Sequence, residues 1–392
     1  MQRLNATVSP LLLDAIKELV ERQGFSQERL AQAVAKLSRL FTKDRYHLAR
    51  TYLDDELLAG AYLQYFLPVN LAKIQSLLDE MPTPESIEGF SVLDIGSGPG
   101  TGALAALDWW HQQKLPRAVS VTAVDGSSGA LRQARQLWDW YCRAANIQEA
   151  DLQTYEEDLE RRAWLEQIRQ HGSFDLIILA NCLNETYTDI SDPIMARTDF
   201  VNETLALLAP HGTMMIVEPA LRETSRALHQ VRDHLLQDRR CTIYSPCLHD
   251  QNCPALTKPN DWCHEERPWE PPGTIKAIDE EVGFIKDALK FSYLLLRKDG
   301  KTIVDRRPDV YRVVSELREL KGEKRAWLCN EQGRQEVGRQ DRLASPHNAS
   351  FDQWHRGAIV QIEKIVHKER KGKVSSLGRI EQDAEVGIIR PI

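Results

Sequence analysis

Residues 92–102 read VLDIGSGPGTG. Gly96, Gly98, Gly100 and Gly102 follow a short apolar run, SVLDIG, and precede TGALAALDWWHQQ, whose periodicity predicts a helix. Glycines at a strand-to-helix turn let the backbone approach a ligand closely and leave helix N-terminal N–H groups open to it. Alone, such a loop is a weak signal. Two acids sharpen it: Asp94 ends the strand before the loop, and Asp125 ends the next strand, AVSVTAVDGS. An acid here would repel the pyrophosphate of a dinucleotide but would attract a ligand with a cationic amino-acid end. S-adenosylmethionine is such a ligand. Its ammonium suits Asp94 and the loop carbonyls, its ribose hydroxyls suit Asp125, and Asp158 in EEDLE is a candidate for the adenine amino group. The expected fold is α/β, of the class I S-adenosylmethionine-dependent methyltransferase (Rossmann-like) type.

The chain around the loop agrees. Strand-like and helix-like segments alternate from Ser91 onward: AVSVTAVDGS, SGALRQARQLWDWYCRAAN, DLQTYEEDL, FDLIILANCLNE, a helix from about Ser191 to Leu208, and GTMMIVEPA. That alternation makes a doubly wound parallel sheet. Before it, Leu13, Ile16, Val20, Leu30, Val34, Leu37 and Leu40 recur at helical spacing, with Ser26 and Glu28 at a helix start. After it comes a helix near Arg222 to Gln237 and then a proline-rich stretch that excludes a long helix. FSYLLLRKDG, VYRVVSEL, RAWLCNEQGR and GAIVQIEKIV read as strands between turns. The expected organisation is a helical region over 1–88, a ligand-binding domain over 89–240, a cysteine-rich segment over 241–272 and a small β-rich region over 273–392.

The fourth strand ends in ANCLNE, placing Asn181, Asn184 and Glu185 at the pocket. The N-P-P-Y tetrad that holds a base amino group is absent. Cys182 lacks a proline partner and reads as a small buried residue rather than a nucleophile. Binding is better supported than catalysis.

The 392 residues are 42% hydrophobic and 27% charged, a globular composition. No segment offers the roughly 20 apolar residues of a membrane span, and the first residues lack the apolar core of a secretory signal, so a reducing cytoplasm or organelle matrix is expected. A net charge of -7 argues against nucleic-acid binding by the whole surface. The basic residues are nonetheless uneven. Ten Lys or Arg stand against six Asp or Glu from Arg297 to Arg325, and seven against two from Arg356 to Arg379. KIVHKERKGK, residues 364–373, is the densest run; it reads either as a solvated strand or as a phosphate-contacting arm.

Four of the seven cysteines, Cys241, Cys247, Cys253 and Cys263, lie within 24 residues, CTIYSPCLHDQNCPALTKPNDWCH. A reducing compartment disfavours disulfides and leaves metal. The spacing lacks the C-x2-C knuckles of zinc ribbons, and a fourth thiolate is available at Cys241 or at Cys329. An iron-sulfur cluster held between two segments fits widely spaced thiolates, while His249 and His264 keep zinc open. Cys142 reads as core.

DELLAGAYLQYFLPVN, VLDIGSGPGTGALAAL, FDLIILANCLNE, SPCLHDQNCPALTKPNDWCHE and FSYLLLRK, in this order, resemble the Rsm22 family of mitochondrial small-subunit ribosome assembly proteins and their bacterial relatives. The similarity spans roughly residues 45–335, and its P-C-x-H-D-x-x-C-P and D-W-C-H elements are more specific than the glycine loop. The resemblance implies a methyltransferase fold that binds S-adenosylmethionine, for which the residues read above offer Asp94, Gly96, Gly98, Gly100, Asp125, Asp158 and Asn181. It also implies a 4Fe-4S cluster on Cys247, Cys253, Cys263 and Cys329, with Cys241 spare. The implied partner is the small ribosomal subunit and its rRNA, with no membrane and no DNA, in the cytoplasm or, in a eukaryote, the mitochondrial matrix. The implied activity is rRNA methylation, with a non-catalytic assembly factor and a zinc-stabilised small-molecule methyltransferase as the alternatives.

Overall fold

The computed structural model describes residues 7–47, 52–84, 89–115, 118–370 and 372–391. The expected turn at MPTPES reaches into residues 85–88, outside the described residues. The chain divides into two compact units, one of residues 7–221 and 268–289, the other of residues 222–267 and 290–391.

The first unit opens with helices α1 (Pro10–Glu21), α2 (Gln27–Thr42), α3 (Glu56–Ala61) and α4 (Leu67–Leu78). Each of the first three starts where a side chain caps it: Ser9, Ser26 and Asp55 accept from the N–H of Leu12, Arg29 and Leu58. Then strands β1 (Phe90–Ile95), β2 (Val119–Asp125), β3 (Ala150–Glu156), β4 (Phe174–Ala180) and β5 (Leu208–Pro219) pair in parallel in the order β3-β2-β1-β4-β5. They alternate with α5 (Thr101–Gln112), α6 (Ser128–Ala144), α7 (Trp164–Arg169) and α8 (Pro193–Leu205). Val92, Leu93 and Ile95 of β1 and Leu176 to Leu179 of β4 are all fully buried, as a sheet covered on both faces requires. The strand order reverses between β1 and β4, so the C-terminal ends of these strands form the crevice where such sheets bind ligands. The helical region is tied to the sheet by Asp108 on α5, which is wholly buried. Its carboxylate accepts from the Ser9 N–H at 3.0 Å, Gln75 Nε2 at 2.5 Å and the Tyr141 hydroxyl at 2.6 Å.

The second unit begins with α9 (Arg222–Gln237), followed by β6 (Thr242–Ser245) and β7 (Glu265–Pro268). Both strands pair with β8 (Ala288–Arg297), β6 in antiparallel fashion; between β7 and β8, α10 (Gly273–Val282) belongs to the first unit. The rest is a mostly antiparallel sheet. It contains β9 (Val310–Val313), β10 (Arg318–Leu320), β11 (Glu323–Asn330), β12 (Gly333–Gln340), β13 (Ile359–Ile362), β14 (Val366–Arg370), β15 (Lys373–Arg379) and β16 (Val386–Arg390). Its order is β14-β15-β12-β11-β9-β13-β16, with β10 beside β11. Tyr311, Val313, Ala326, Leu328, Val337, Phe351, Trp354 and Val360 make its core. In β11 the pleat sends Ala326 and Leu328 into that core, and Cys329, between Leu328 and the buried Asn330, faces the other side.

Candidate functional sites

The glycine loop forms the turn between β1 and α5. Gly96, Gly98 and Gly100 all take positive φ (67°, 54° and 88°). At Gly96 a side chain is excluded twice over: by the backbone conformation and because a Cβ would lie 2.4 Å from Cys182 Cβ. Asp94 is 1% exposed and turns back onto the start of α5, where its Oδ2 accepts from the Ala103 N–H at 2.8 Å. Burial lifts its carboxyl to about 6, against the pull of the Ser97 hydroxyl and the Ala103 N–H. Asp125 braces the loop from β2, accepting from Gly98 N–H and Ser127 N–H, each at 2.8 Å. Its carboxyl is also raised, chiefly by burial.

The remaining ligand candidates arrive beside this loop from the neighbouring strand ends. Asn181 leaves β4 with φ +59° and bonds Val217 O at 2.7 Å. Asp158 is half-exposed, caps the short turn Leu159–Arg161 and pairs with Arg161 at 3.4 Å. Its neighbour Leu159 reaches within 3.6 Å of where a Gly96 Cβ would be. Cys182 donates to Ile95 O at 3.2 Å, and burial holds its thiol well above the usual range, with Glu218, Glu185, Asp94 and Asp125 adding to the effect. One thiol thus feels four carboxyl groups.

Sequence reasoning missed much of what surrounds this centre. The turn Tyr52–Asp54 lies on the loop: Ser127 Oγ donates to Asp54 Oδ1 at 2.8 Å, and Leu53 approaches Gly98. Glu218, at the end of β5, is 2% exposed and accepts from the Asn184 N–H at 3.3 Å. The Arg45 guanidinium donates to Asn184 Oδ1, and Arg197 holds the same segment through the carbonyls of Asn184 (3.0 Å) and Thr186 (2.8 Å). Burial first, then repulsion from Glu218, pushes the Glu185 carboxyl up to about 8, with Arg45 working the other way. Burial lifts Glu218 to about 7 despite the Asn184 hydrogen bonds. No local pattern marks these contacts, because each joins residues far apart in the chain.

The second unit holds the cysteines. Cys247, Cys253, Cys263 and Cys329 line one cavity of about 50 Å³ together with His249 and His264. Cys241 is buried and does not line it, so of the two candidates for a fourth thiolate Cys329 is the one brought to the other three. All seven cysteines are free thiols. Burial pushes the Cys263 thiol up to about 11 and raises Cys253 and Cys329 well above the ordinary thiol range too. Mutual repulsion between the thiols adds to this, while Arg232, Arg334 and Arg356 oppose it. Among the described residues no three His, Cys, Asp or Glu side chains form a group able to hold a metal ion.

Helix α9 presents a stripe to the cysteine loop at helical spacing: Arg226, His229, Arg232 and Asp233. Arg226 Nη1 collects the carbonyls of Ala255 (3.1 Å), Lys258 (2.8 Å) and Asp261 (2.7 Å). His229 Nε2 lies 3.0 Å from Cys263 O, and both Asp233 oxygens accept from the Cys253 N–H at 2.9–3.0 Å. Arg334, paired with Cys329 across β11 and β12, grips Asp261 through both carboxylate oxygens at 2.7 Å. Buried beside the cavity, Trp262 Nε1 and His264 Nδ1 find no hydrogen-bond partner among the described residues.

The sequence matches the family profile described as mitochondrial small ribosomal subunit Rsm22 over residues 57–340. The chain belongs to the Rsm22 family. The match takes in both the glycine loop and all four cavity cysteines of this Rsm22-family chain. No curated protein matches it. Among solved structures it is similar to a Listeria monocytogenes protein assigned to the class I S-adenosylmethionine-dependent methyltransferases (15% identity, 73% of this chain and 72% of that one, TM-score 0.37). It is also similar to the mitomycin 7-O-methyltransferase MmcR (11%, 69% and 67%, TM-score 0.36) and to a precorrin-6y C5,15-methyltransferase from Geobacter metallireducens (10%, 57% and 87%, TM-score 0.32).

Proposed function

We propose that this Rsm22-family chain is a small-ribosomal-subunit assembly protein that binds S-adenosylmethionine in its first unit, carries a 4Fe-4S cluster in its second, and methylates rRNA of the maturing subunit. The observation that carries the reading is the gathering of Cys247, Cys253, Cys263 and Cys329, and not Cys241, on one cavity. The donor set suits the group. Four thiolates are the usual ligands of such a cluster, and Arg232, Arg334 and Arg356 would offset their charge. When bound, the cluster would supply a covalent junction between the cysteine loop and β11.

In the first unit, the buried carboxyls of Asp94, Asp125, Glu185 and Glu218 are all held above the ordinary carboxylate range, and a cationic ligand group bound among them would draw them toward ionisation. Asp94 orders the start of α5, Asp125 fixes the loop, Asp158 and Asn181 flank it, and Arg197 holds the segment bearing Glu185 in place. The chemistry is transfer of the sulfonium methyl to an rRNA nucleophile, with the protein's contribution chiefly orientation. The basic residues of the second unit would meet rRNA phosphates. No described helix is long and apolar enough to cross a membrane; the proposed setting is the cytoplasm, or the mitochondrial matrix in a eukaryote. A second reading is an assembly factor without transfer activity. It is favoured by the engagement of both Asp125 oxygens, offered above to the ribose, with N–H groups of the protein itself.

The test is iron and sulfide analysis of anaerobically purified protein, with Cys253→Ser as control. Four irons and four sulfides per chain, lost in the variant, support the cluster; one zinc and no sulfide refutes it. Methyl incorporation into immature small subunits, abolished by Asp94→Asn, separates enzyme from factor.

A further inference from the structure

His249 lies on the loop between Cys247 and Cys253 and is 3% exposed. Its ring is fixed at both ends. Arg232, fully buried on α9, donates from Nη2 to the His249 carbonyl at 2.7 Å, and the same nitrogen stands 3.4 Å from ring Nδ1. At the other end Nε2 faces Cys329 Sγ at 3.7 Å, a reach ordinary for hydrogen bonds to sulfur but long for those to oxygen.

The two neighbours decide where the ring proton sits. A guanidinium donates only, so the nitrogen facing it keeps its lone pair, and a neutral imidazole then carries its proton on the other nitrogen. The Gln251 backbone also bears on this ring, and its carbonyl accepts from Arg232 Nη1 at 2.5 Å as well. We infer that His249 is a positioning residue of the thiolate centre, its Nε2–H donating to Cys329 Sγ and so holding the ligand from β11 against the three from the loop. This rests on Cys329 being a cluster ligand. A donor on a ligand sulfur withdraws electron density from it and makes the cluster easier to reduce, and metal sites depend on such outer contacts to orient their ligands.

The experiment compares wild-type protein with His249→Leu and His249→Gln, each full length and isolated anaerobically, in redox titrations followed by visible absorbance. Glutamine can place an N–H on the sulfur; leucine cannot. At a fixed potential near the wild-type midpoint, the reduced-to-oxidised ratio in His249→Leu is expected to fall by up to about tenfold, the worth of one hydrogen bond, or about 59 mV for a one-electron couple. His249→Gln should recover most of it. Equal potentials in all three proteins overturn the inference. Nitrogen-15 shifts of His249 in the cluster-free chain give a reading that needs no iron: a protonated Nε2 with bare Nδ1 is expected, and a proton on Nδ1 overturns the hydrogen bond. Should His249→Leu fail to retain iron, the glutamine variant and these shifts decide. A wild-type chain that never holds iron refutes the cluster while leaving the hydrogen bond to the shifts.

Discussion

Replacing Glu185 by glutamine should change how stability depends on pH. In the folded chain burial and Glu218 push this carboxyl from 4.5 to about 8, whereas in the unfolded chain it returns to its ordinary value. Between those two values the folded state keeps a proton that the unfolded state has released, so stability falls as pH rises through the window and levels off above it. At about 1.36 kcal/mol per pH unit, a gap of about 3.5 units sets a ceiling near 5 kcal/mol. Glu218, raised to about 7, cannot be added to this, because two interacting carboxyls titrate as a pair and removing one charge relieves the other. About half the ceiling is therefore the working expectation. From pH 5.5 to 8.5 the wild type should lose about 2–3 kcal/mol more than Glu185→Gln, measured by urea unfolding followed by tryptophan fluorescence at half-unit steps. Glutamine keeps the shape of the side chain and cannot ionise, so the difference between the two curves isolates the charge. Parallel curves, or a wild type that gains stability relative to the variant as pH rises, would refute the buried carboxyl pair.

Other outcomes can be checked separately. Gly96→Ala should cost about 2–4 kcal/mol through positive φ and the clash with Cys182, and Cys182→Gly in the same chain should restore part of it, as a double-mutant cycle in thermal unfolding would reveal. Arg226→Leu takes the donor from the part-buried Ala255 and Asp261 carbonyls, the Lys258 carbonyl being exposed; a loss of about 1–2 kcal/mol in urea unfolding is expected, with retention of the proposed cluster's iron falling alongside. If the proposed cluster is present, Cys329→Ser should release it and lower the melting temperature of the second unit, whereas Cys241→Ser should leave iron content unchanged. Binding to small-subunit rRNA should weaken steeply between 50 and 200 mM salt, a loss on the order of a thousandfold if about six phosphates are met, and retention insensitive to salt would count against the phosphate contacts.

What the sequence disclosed was local. The glycine loop, Asp94 and Asp125 sit within a few residues of the elements that position them, and the strand-helix alternation has a period short enough to read directly. The helix expected near Arg222 to Gln237 spans those residues in the structure. By contrast RAWLCNEQGR, read as one strand, is a hairpin that reverses at Asn330–Gly333; the signal was there in Gly333, whose φ of +104° few other residues adopt. Spacing could not choose between Cys241 and Cys329, since the choice depends on which side of β11 the pleat presents. Nor could it show the cover of Tyr52–Asp54, the grip of Arg45 and Arg197 on Asn184, or the polar stripe of α9. Arg226, His229, Arg232 and Asp233 look like an ordinary solvated helix face until the loop they hold is placed over them.

The sheet of the second unit joins strands that are remote along the chain: β12 lies parallel to β15, β9 pairs with β13, and β13 with β16. Each pairing must close a long loop before any contact repays the lost entropy, which is the circumstance that makes folding slow. The rate-limiting event in refolding should therefore be the docking of the 359–362 strand onto β9 and of the 373–379 strand onto β12, after the β11–β12 hairpin has formed.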